Sequence, residues 1–281
     1  MRTLITGANG QLGTELSKIM PHAILTDYKD LDITDFDAVR DFVRENKVGN
    51  IINCAAYTAV DDAEDNYLAA RQINAVGPQS LARTGCKLVH ISTDYVFDGE
   101  SNIPYKPNDT THPKSIYGWT KRMGELAVMK NAEQYVILRT AWLYSPYGKN
   151  FVKTMRRLGA EKESIGVVSD QFGTPTYAAD LANAIAKIVP QIHKNNSGIY
   201  HYTNMGQCSW YDFACEIMKM SGLKCQVKPI RTEQYPTRAV RPKYSVLDKT
   251  KTMSVFEVSI PQWRDALKRC IKEMENQIIK G

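Results

Sequence analysis

A tyrosine and a lysine stand four residues apart in Tyr117-Gly118-Trp119-Thr120-Lys121. On a helix that offset puts both side chains on one face. A phenol of ordinary pKa, ~10, is a poor proton donor or acceptor at neutral pH. An ammonium beside it favours the phenolate and fits the pair for general acid–base chemistry. Among 15 tyrosines, roughly one such spacing is expected by chance, so the pair gains weight only from its surroundings. Those include Gly7-Ala8-Asn9-Gly10-Gln11-Leu12-Gly13, directly after the first apolar run. Glycines in this setting permit a tight turn, let backbone amides approach a pyrophosphate, and let helix and strand pack closely. The helix that follows would offer its free N–H groups and positive dipole end to the phosphates. Thr93 is the third element, a hydroxyl at the end of an apolar run and suited to hydrogen-bonding a substrate carbonyl.

These groups need a scaffold, and the first half of the chain supplies its pattern. Arg2 to Thr6, Ala23 to Thr26, Asn50 to Cys54, Lys87 to Ser92 and Tyr135 to Arg139 read as strands buried on both faces. Helical patterns lie between them at Gln11 to Met20, Asp35 to Glu45, Asp65 to Arg83 and Tyr117 to Met129. This alternation predicts an α/β fold, a Rossmann-type doubly wound parallel sheet. It places the Tyr117 helix between the fourth and fifth strands. After Asn150 the rhythm changes. Helices are expected at Phe151 to Leu158, Tyr177 to Val189 and Trp210 to Met220, the last capped by Ser209 and ended by Gly222. Strands are expected at Ser164 to Ser169 and Gly198 to Thr203, with Pro261 in the first turn of a final helix to about Ile278. The expected organisation is a dinucleotide-binding domain over 1–150 and a smaller, mainly substrate-binding lobe over 151–281, with some segments returning to the sheet.

Asp27 closes the second strand fourteen residues after Gly13. A carboxylate there accepts hydrogen bonds from a free ribose hydroxyl and repels a 2′-phosphate, which favours NADH slightly over NADPH. Lys29 offsets part of that charge, and a simple turn residue is the other reading. The small residues of Asn53-Cys54-Ala55-Ala56-Tyr57 allow close approach of a cofactor, or are ordinary core residues.

Composition limits the alternatives. Hydrophobic residues at 43% and charged residues at 23% describe a globular chain and disfavour disorder or fibrous architecture. The net charge of +6 is scattered, with local density only at Lys228 to Lys243. That excludes a nucleic-acid-binding block and leaves a solvated surface or an anionic small ligand. The six cysteines show neither C-x-x-C nor zinc spacing, and no apolar run approaches the ~20 residues that span a bilayer. Met1 to Thr6 enters a strand pattern directly. A cytoplasmic chain with reduced cysteines and no membrane partner is expected.

The glycine turn, Ser92 to Gly99 and Tyr117 to Lys121 together resemble the extended short-chain dehydrogenases/reductases. Thr93-Asp94-Tyr95-Val96-Phe97-Asp98-Gly99 is similar to the dTDP-4-dehydrorhamnose reductase family in particular. So are Asn53 to Asp61, Arg139-Thr140-Ala141-Trp142-Leu143-Tyr144, Asp170-Gln171-Phe172-Gly173-Thr174-Pro175-Thr176 and Arg241-Pro242-Lys243-Tyr244-Ser245. The resemblance spans almost the whole chain. It implies hydride transfer from NADH or NADPH to C4 of a nucleotide-linked 4-keto sugar. Tyr117 would protonate the oxygen, Lys121 would hold the ribose and tune Tyr117, and Thr93 would polarise the carbonyl. It further implies cofactor contacts at Gly7, Asn9, Gly10, Gln11, Leu12, Gly13, Asp27, Asp32, Ile33, Ala55, Ala56 and Tyr57. Asn74 is either a supporting hydrogen-bonder or a helix-interior asparagine. On the substrate side stand Trp142, Asn150, Gln171 and Arg241. Trp142 is a platform for sugar or base, or a core aromatic. Arg241 is a diphosphate partner, or half of a structural ion pair.

One form of the family is a magnesium-linked homodimer. Glu15 matches it, but Ala178 and Ala179 remove acidity expected near Asp180, too little for a cation that takes several oxygen ligands. Neither bound magnesium nor that dimer is expected. Two competing enzymes share the cofactor site. A 4,6-dehydratase needs Asp-Glu after the threonine, whereas Tyr95 follows Asp94 here; an epimerase would retain NAD. A reductase-like regulatory subunit of methionine adenosyltransferase is the non-enzymatic alternative.

Overall fold

Six short runs rich in aliphatic residues form one parallel sheet: Arg2–Thr6, Ile24–Thr26, Val48–Asn53, Lys87–Thr93, Tyr135–Thr140 and Gly198–His201. The structure is a computed structural model describing residues 2–280. Counted along the chain, the strands lie in the order sixth, fifth, fourth, third, first, second, and every adjacent pair is parallel.

Successive side chains of a strand point to opposite faces, and both faces here are apolar. Leu4, Ile51, Leu88 and Ile137 enter one core with Val39, Val43, Leu81 and Val128. Ile5, Ile52, Val89, Val136 and Leu138 enter the other with Leu12, Leu16, Leu181, Ile185 and Ile188. Coverage by helices on both sides is why the strands carry continuous apolar runs. The chain passes from the first strand to the second and then returns to the other side of the first. The order therefore reverses between the first and third strands, where crevices open at the carboxyl ends.

The helices expected at Gln11, Asp35, Tyr117 and Trp210 form at Gln11–Ile19, Phe36–Glu45, Ile116–Asn131 and Trp210–Met220. Ser209 caps the last of these, accepting from the Asp212 amide at 3.0 Å, while the Asp212 carboxylate accepts from the Ser209 amide at 2.9 Å. The expected helix over Asp65 to Arg83 is interrupted. Tyr67–Arg71 and Gly77–Ala82 are α-helical, and Gln72–Val76 between them is a π turn. Such turns recur at functional sites, and this one carries the fully buried Asn74. The last helix starts at Trp263, just beyond Pro261. Gln226–Ile230, not foreseen because Lys228 and Pro229 break its apolar pattern, pairs parallel with Ser164–Val168.

A further core gathers Val152, Met155, Ile165, Phe213, Ile217, Trp263 and Leu267 from the second half of the chain. The Gly198–His201 strand belongs instead to the main sheet, beside Tyr135–Thr140. All six cysteines are free. Among the described residues no helix is long and apolar enough to cross a membrane.

Candidate active site

Gly7 has a left-handed φ of +65°, and a Cβ on it would lie 2.6 Å from the Ala55 amide nitrogen. A Cβ on Gly13 would lie 2.4 Å from the Gly7 carbonyl oxygen. The turn therefore accepts no side chain at either place. Gly10 caps the Gln11–Ile19 helix without a side-chain hydrogen bond, so the helix's first N–H groups remain free at the crevice. Asp27 accepts from the Asn9 amide at 3.1 Å, fixing the turn against the second strand. Asp32 makes a local turn, accepting from the Thr34 amide at 2.9 Å and the Thr34 hydroxyl at 2.8 Å. A cavity of about 450 Å³ is lined by Gly7, Gly10, Asp27, Asp32, Ile33, Ala55 and Ala56, and also by Leu31, Gln72 and Ile73, which sequence reasoning missed. Its glycine cradle and unpaired helix amides fit a dinucleotide.

The adjoining cleft, about 630 Å³, is lined by Gln11, Leu12 and Gly13 together with Thr93, Tyr117, Lys121 and Trp142. The structure thus brings the proposed catalytic groups and the glycine turn to one place. Ser115 caps the helix that carries Tyr117 and Lys121, accepting from the Gly118 amide at 3.1 Å. Glu64 accepts from the Ile116 amide at 2.9 Å at the same helix end. Gly118 and Gly124 let this helix lie directly on backbone: a Cβ on either would stand 2.1 Å from a carbonyl oxygen, that of Tyr95 or Asn74. The Tyr117 ring meets Tyr95 edge-on at 5.5 Å.

The electrostatics differ from the expectation. Lys121 Nζ donates to the Ile91 carbonyl at 2.6 Å rather than facing the phenol, and burial pulls its pKa down to about 8. Burial pushes the Tyr117 phenol up, opposed by its hydrogen bond with Thr93. Tyr117 is accordingly protonated in this state. The i, i+4 spacing set the shared helix face correctly but could not report that Lys121 would turn to a backbone acceptor on the neighbouring strand.

Asn74 and Tyr57 stand behind the cleft wall. The Asn74 amide accepts from Tyr57 N at 2.8 Å and donates to Tyr57 O and to Thr120 Oγ1, both at 3.1 Å. It clamps the loop after the third strand to the Tyr117 helix. Asn150 donates to Gln11 Oε1 at 2.9 Å and caps the Phe151–Glu161 helix. Gln171 is buried and donates to Thr232 Oγ1 at 3.2 Å. Arg241 is half-buried, donating to Asp61 at 2.6 Å and to the Tyr95 hydroxyl at 3.0 Å. Trp142 holds a left-handed φ of +49°, costly for a bulky residue. Its indole stacks on Trp210 at 3.5 Å, and Gly173 makes room for it.

The carboxylates around Glu15 and Asp180 are paired with cations of the chain. Lys18 Nζ lies 2.9 Å from Glu15 and 2.7 Å from Glu273, and Arg269 holds Asp180 at 2.5 Å. Cations of the chain itself neutralise these carboxylates. Among the described residues no His/Cys/Asp/Glu group suited to a metal ion occurs.

Asp94 is a functional candidate the sequence displayed but spacing did not single out. It is buried, with Oδ1 accepting from the Thr93 hydroxyl at 2.9 Å and Oδ2 without a partner. Burial pushes its pKa up to about 6. A carboxyl raised on folding opposes folding once ionised; the penalty is absent below pH ~4 and complete above the folded pKa. Asp94→Asn is expected to stabilise the protein at pH 8 by about 2–3 kcal/mol, with little change near pH ~4. Urea unfolding at the two pH values reads the difference, and equal effects at both would contradict a strained carboxylate.

A nucleotide crevice at the sheet's reversal point, opening into a cleft with a phenol, a threonine hydroxyl and a buried lysine, defines an NAD(P)-dependent oxidoreductase of the short-chain type. Residues 1–276 match the family described as RmlD substrate binding domain, and the chain belongs to that family. The crystal structure of a dTDP-4-dehydrorhamnose reductase from Clostridium acetobutylicum superposes with a TM-score of 0.94 at 45% identity, covering 98% of this chain and 100% of that one. A dTDP-4-dehydrorhamnose reductase from Bacillus anthracis, solved in complex with NADP, superposes with a TM-score of 0.91 at 42% identity, covering 97% and 99%. The spore coat polysaccharide biosynthesis protein SpsK of Bacillus subtilis is 40% identical over 280 residues, 97% of each chain.

Proposed function

We propose that this chain reduces the C4 keto group of dTDP-4-dehydro-L-rhamnose to give dTDP-L-rhamnose, using NADH or NADPH. The observation that carries the reading is the Tyr117 phenol and the Thr93 hydroxyl lining the same cleft as the glycine turn. The names of the Clostridium and Bacillus relatives support the substrate.

The reduced nicotinamide, when bound, supplies the hydride. The protein's own groups do the rest. The free amides at Gln11, Leu12 and Gly13 hold the pyrophosphate, Asp27 the adenosine ribose, and Asp32 and Ile33 the adenine. Thr93 donates a hydrogen bond to the C4 oxygen, and Tyr117 delivers its proton there as negative charge develops. The reductive direction requires the phenol in its protonated form, and the negative charge developing on the C4 oxygen is what draws the proton across. Lys121, anchored on the Ile91 carbonyl, holds the nicotinamide-side ribose. Trp142 forms an aromatic wall for the sugar nucleotide, with Asn150, Gln171 and Arg241 ordering its surroundings. In this reading residues 1–150 serve the dinucleotide and 151–281 mainly the sugar nucleotide.

Incubation of the purified protein with dTDP-4-dehydro-L-rhamnose and reduced dinucleotide tests the proposal. Stoichiometric loss of reduced-dinucleotide absorbance and formation of dTDP-L-rhamnose are expected. Dinucleotide binding without turnover would point to the regulatory role, and an altered sugar with no net oxidation to an epimerase. Asp27 bears on the choice of cofactor. Its carboxylate repels a 2′-phosphate, so Asp27→Asn is expected to raise kcat/KM for NADPH by about tenfold, with a smaller change for NADH. An unchanged ratio would remove Asp27 from cofactor selection.

A further inference from the structure

The Ile116–Asn131 helix carries three chemically active side chains at successive turns: Tyr117, Lys121 and Glu125. Glu125 is completely buried. Its carboxylate accepts from Ser92 Oγ at 2.6 Å, from Arg139 Nε and Nη2 at 2.8 Å each, and from Arg122 Nη1 at 2.7 Å. Ser92 directly precedes Thr93, and Ser92 and Arg139 are cross-strand partners in register, as are Thr93 and Thr140. Arg139 also donates to the Pro107 carbonyl at 3.2 Å, reaching the loop after Asp98. A single carboxylate therefore fastens the helix to two adjacent strands, one residue before the end of each.

An apolar contact would pack this helix more cheaply, because a buried ion pair adds little net stability. It would not fix the helix's height on the strands, which directional bonds to Ser92 and Arg139 do. We propose that Glu125 is a positioning residue. Through Ser92 and Arg139 it sets the Tyr117 turn relative to Thr93, and its charge keeps the neighbouring Lys121 an ammonium ion within the protein interior. The proposal rests on the reductase reading for its kinetic consequences, while its effect on Lys121 can be measured without turnover.

The other groups facing Lys121 do not replace that charge. The Cys54 thiol is pushed up to about 12 by burial and stays neutral. His90, on the fourth strand, is held neutral by burial and by Lys121 itself. Tyr117 is protonated. Burial pulls Lys121 down to about 8 against the opposing influence of Glu125, so removing the carboxylate lets the lysine fall further.

The test compares wild type, Glu125→Gln, Glu125→Asp and the double variant Glu125→Gln/Arg139→Met. The double variant leaves no unpaired buried guanidinium, and the kcat of Glu125→Asp carries the test if Glu125→Gln fails to fold. NMR of ¹³C-labelled lysine, assigned with Lys121→Met, follows Lys121 directly. Its midpoint is expected to fall by about one pH unit or more in Glu125→Gln, to fall less in the double variant, which also loses the Arg139 cation, and to stay near the wild-type value in Glu125→Asp. The alkaline limb of kcat/KM for the dinucleotide should move with it. Glu125→Asp, whose carboxylate is one methylene shorter, should lose kcat by about tenfold with little change in KM. An unmoved Lys121 midpoint in folded Glu125→Gln, or a wild-type kcat in Glu125→Asp, would overturn the proposal, leaving Glu125 merely structural. A wild type that titrates as expected but oxidises no dinucleotide would sink the reductase reading and leave the hold on Lys121 intact.

Discussion

Tyr117→Phe is expected to lower kcat for keto-sugar reduction by about 10²–10⁴-fold while leaving dinucleotide binding nearly unchanged. The substitution removes one oxygen from a half-buried ring that otherwise packs edge-on against Tyr95, so the fold should be preserved. What disappears is the proton for the C4 oxygen. Thr93 is not a substitute, since an aliphatic hydroxyl is a far weaker acid than a phenol and can donate a hydrogen bond but not its proton, and Lys121 is turned to the Ile91 carbonyl. Steady-state kinetics alongside dinucleotide titration separates the two effects. A kcat within about tenfold of wild type would transfer the proton-donor role to another acid, and Asp94 is the nearest carboxyl in the cleft wall.

Gly124→Val is expected to be the most damaging substitution to the fold. Gly124 lies where the catalytic helix crosses the π turn, and a Cβ would stand 2.1 Å from the Asn74 carbonyl oxygen. Backbone on both sides leaves no flexible side chain to give way. Separating the helix from Asn74 would also break the bond from Asn74 to Thr120. A loss of about 3 kcal/mol or more follows for overpacking of this kind. Chemical denaturation measures it, and a loss below about 1 kcal/mol would show that helix and turn can part at little cost.

Legibility in the sequence followed the distance between interacting groups. The glycine turn was readable because its constraints are local: a strand end, a left-handed Gly7 and a helix start within a few residues. The Tyr117–Lys121 pair was readable because a helix brings i and i+4 together. Its electrostatics were not, because they depend on Ile91 from another strand and on what covers the phenol. The π turn at Gln72–Val76 left no periodicity signal, and the partners that hold its Asn74, Tyr57 and Thr120, come from other elements. Arg241 and Asp61 are 180 residues apart, and nothing in either neighbourhood announces the other. Glu125 could have been found, standing one further turn along the face already identified. A glutamate on a helix ordinarily faces water, so its type alone does not announce burial.

The sixth strand of the main sheet carries one more implication. Gly198–His201 hydrogen-bonds along Tyr135–Thr140 only after the chain has left to build a separate core. Severed at its midpoint, the leading half would present Tyr135–Thr140 as a raw hydrogen-bonding margin, with Val136 and Leu138 uncovered, an invitation to self-association. The leading half of the chain is therefore no detachable cassette: its sheet is finished only by a strand that the second half sends back.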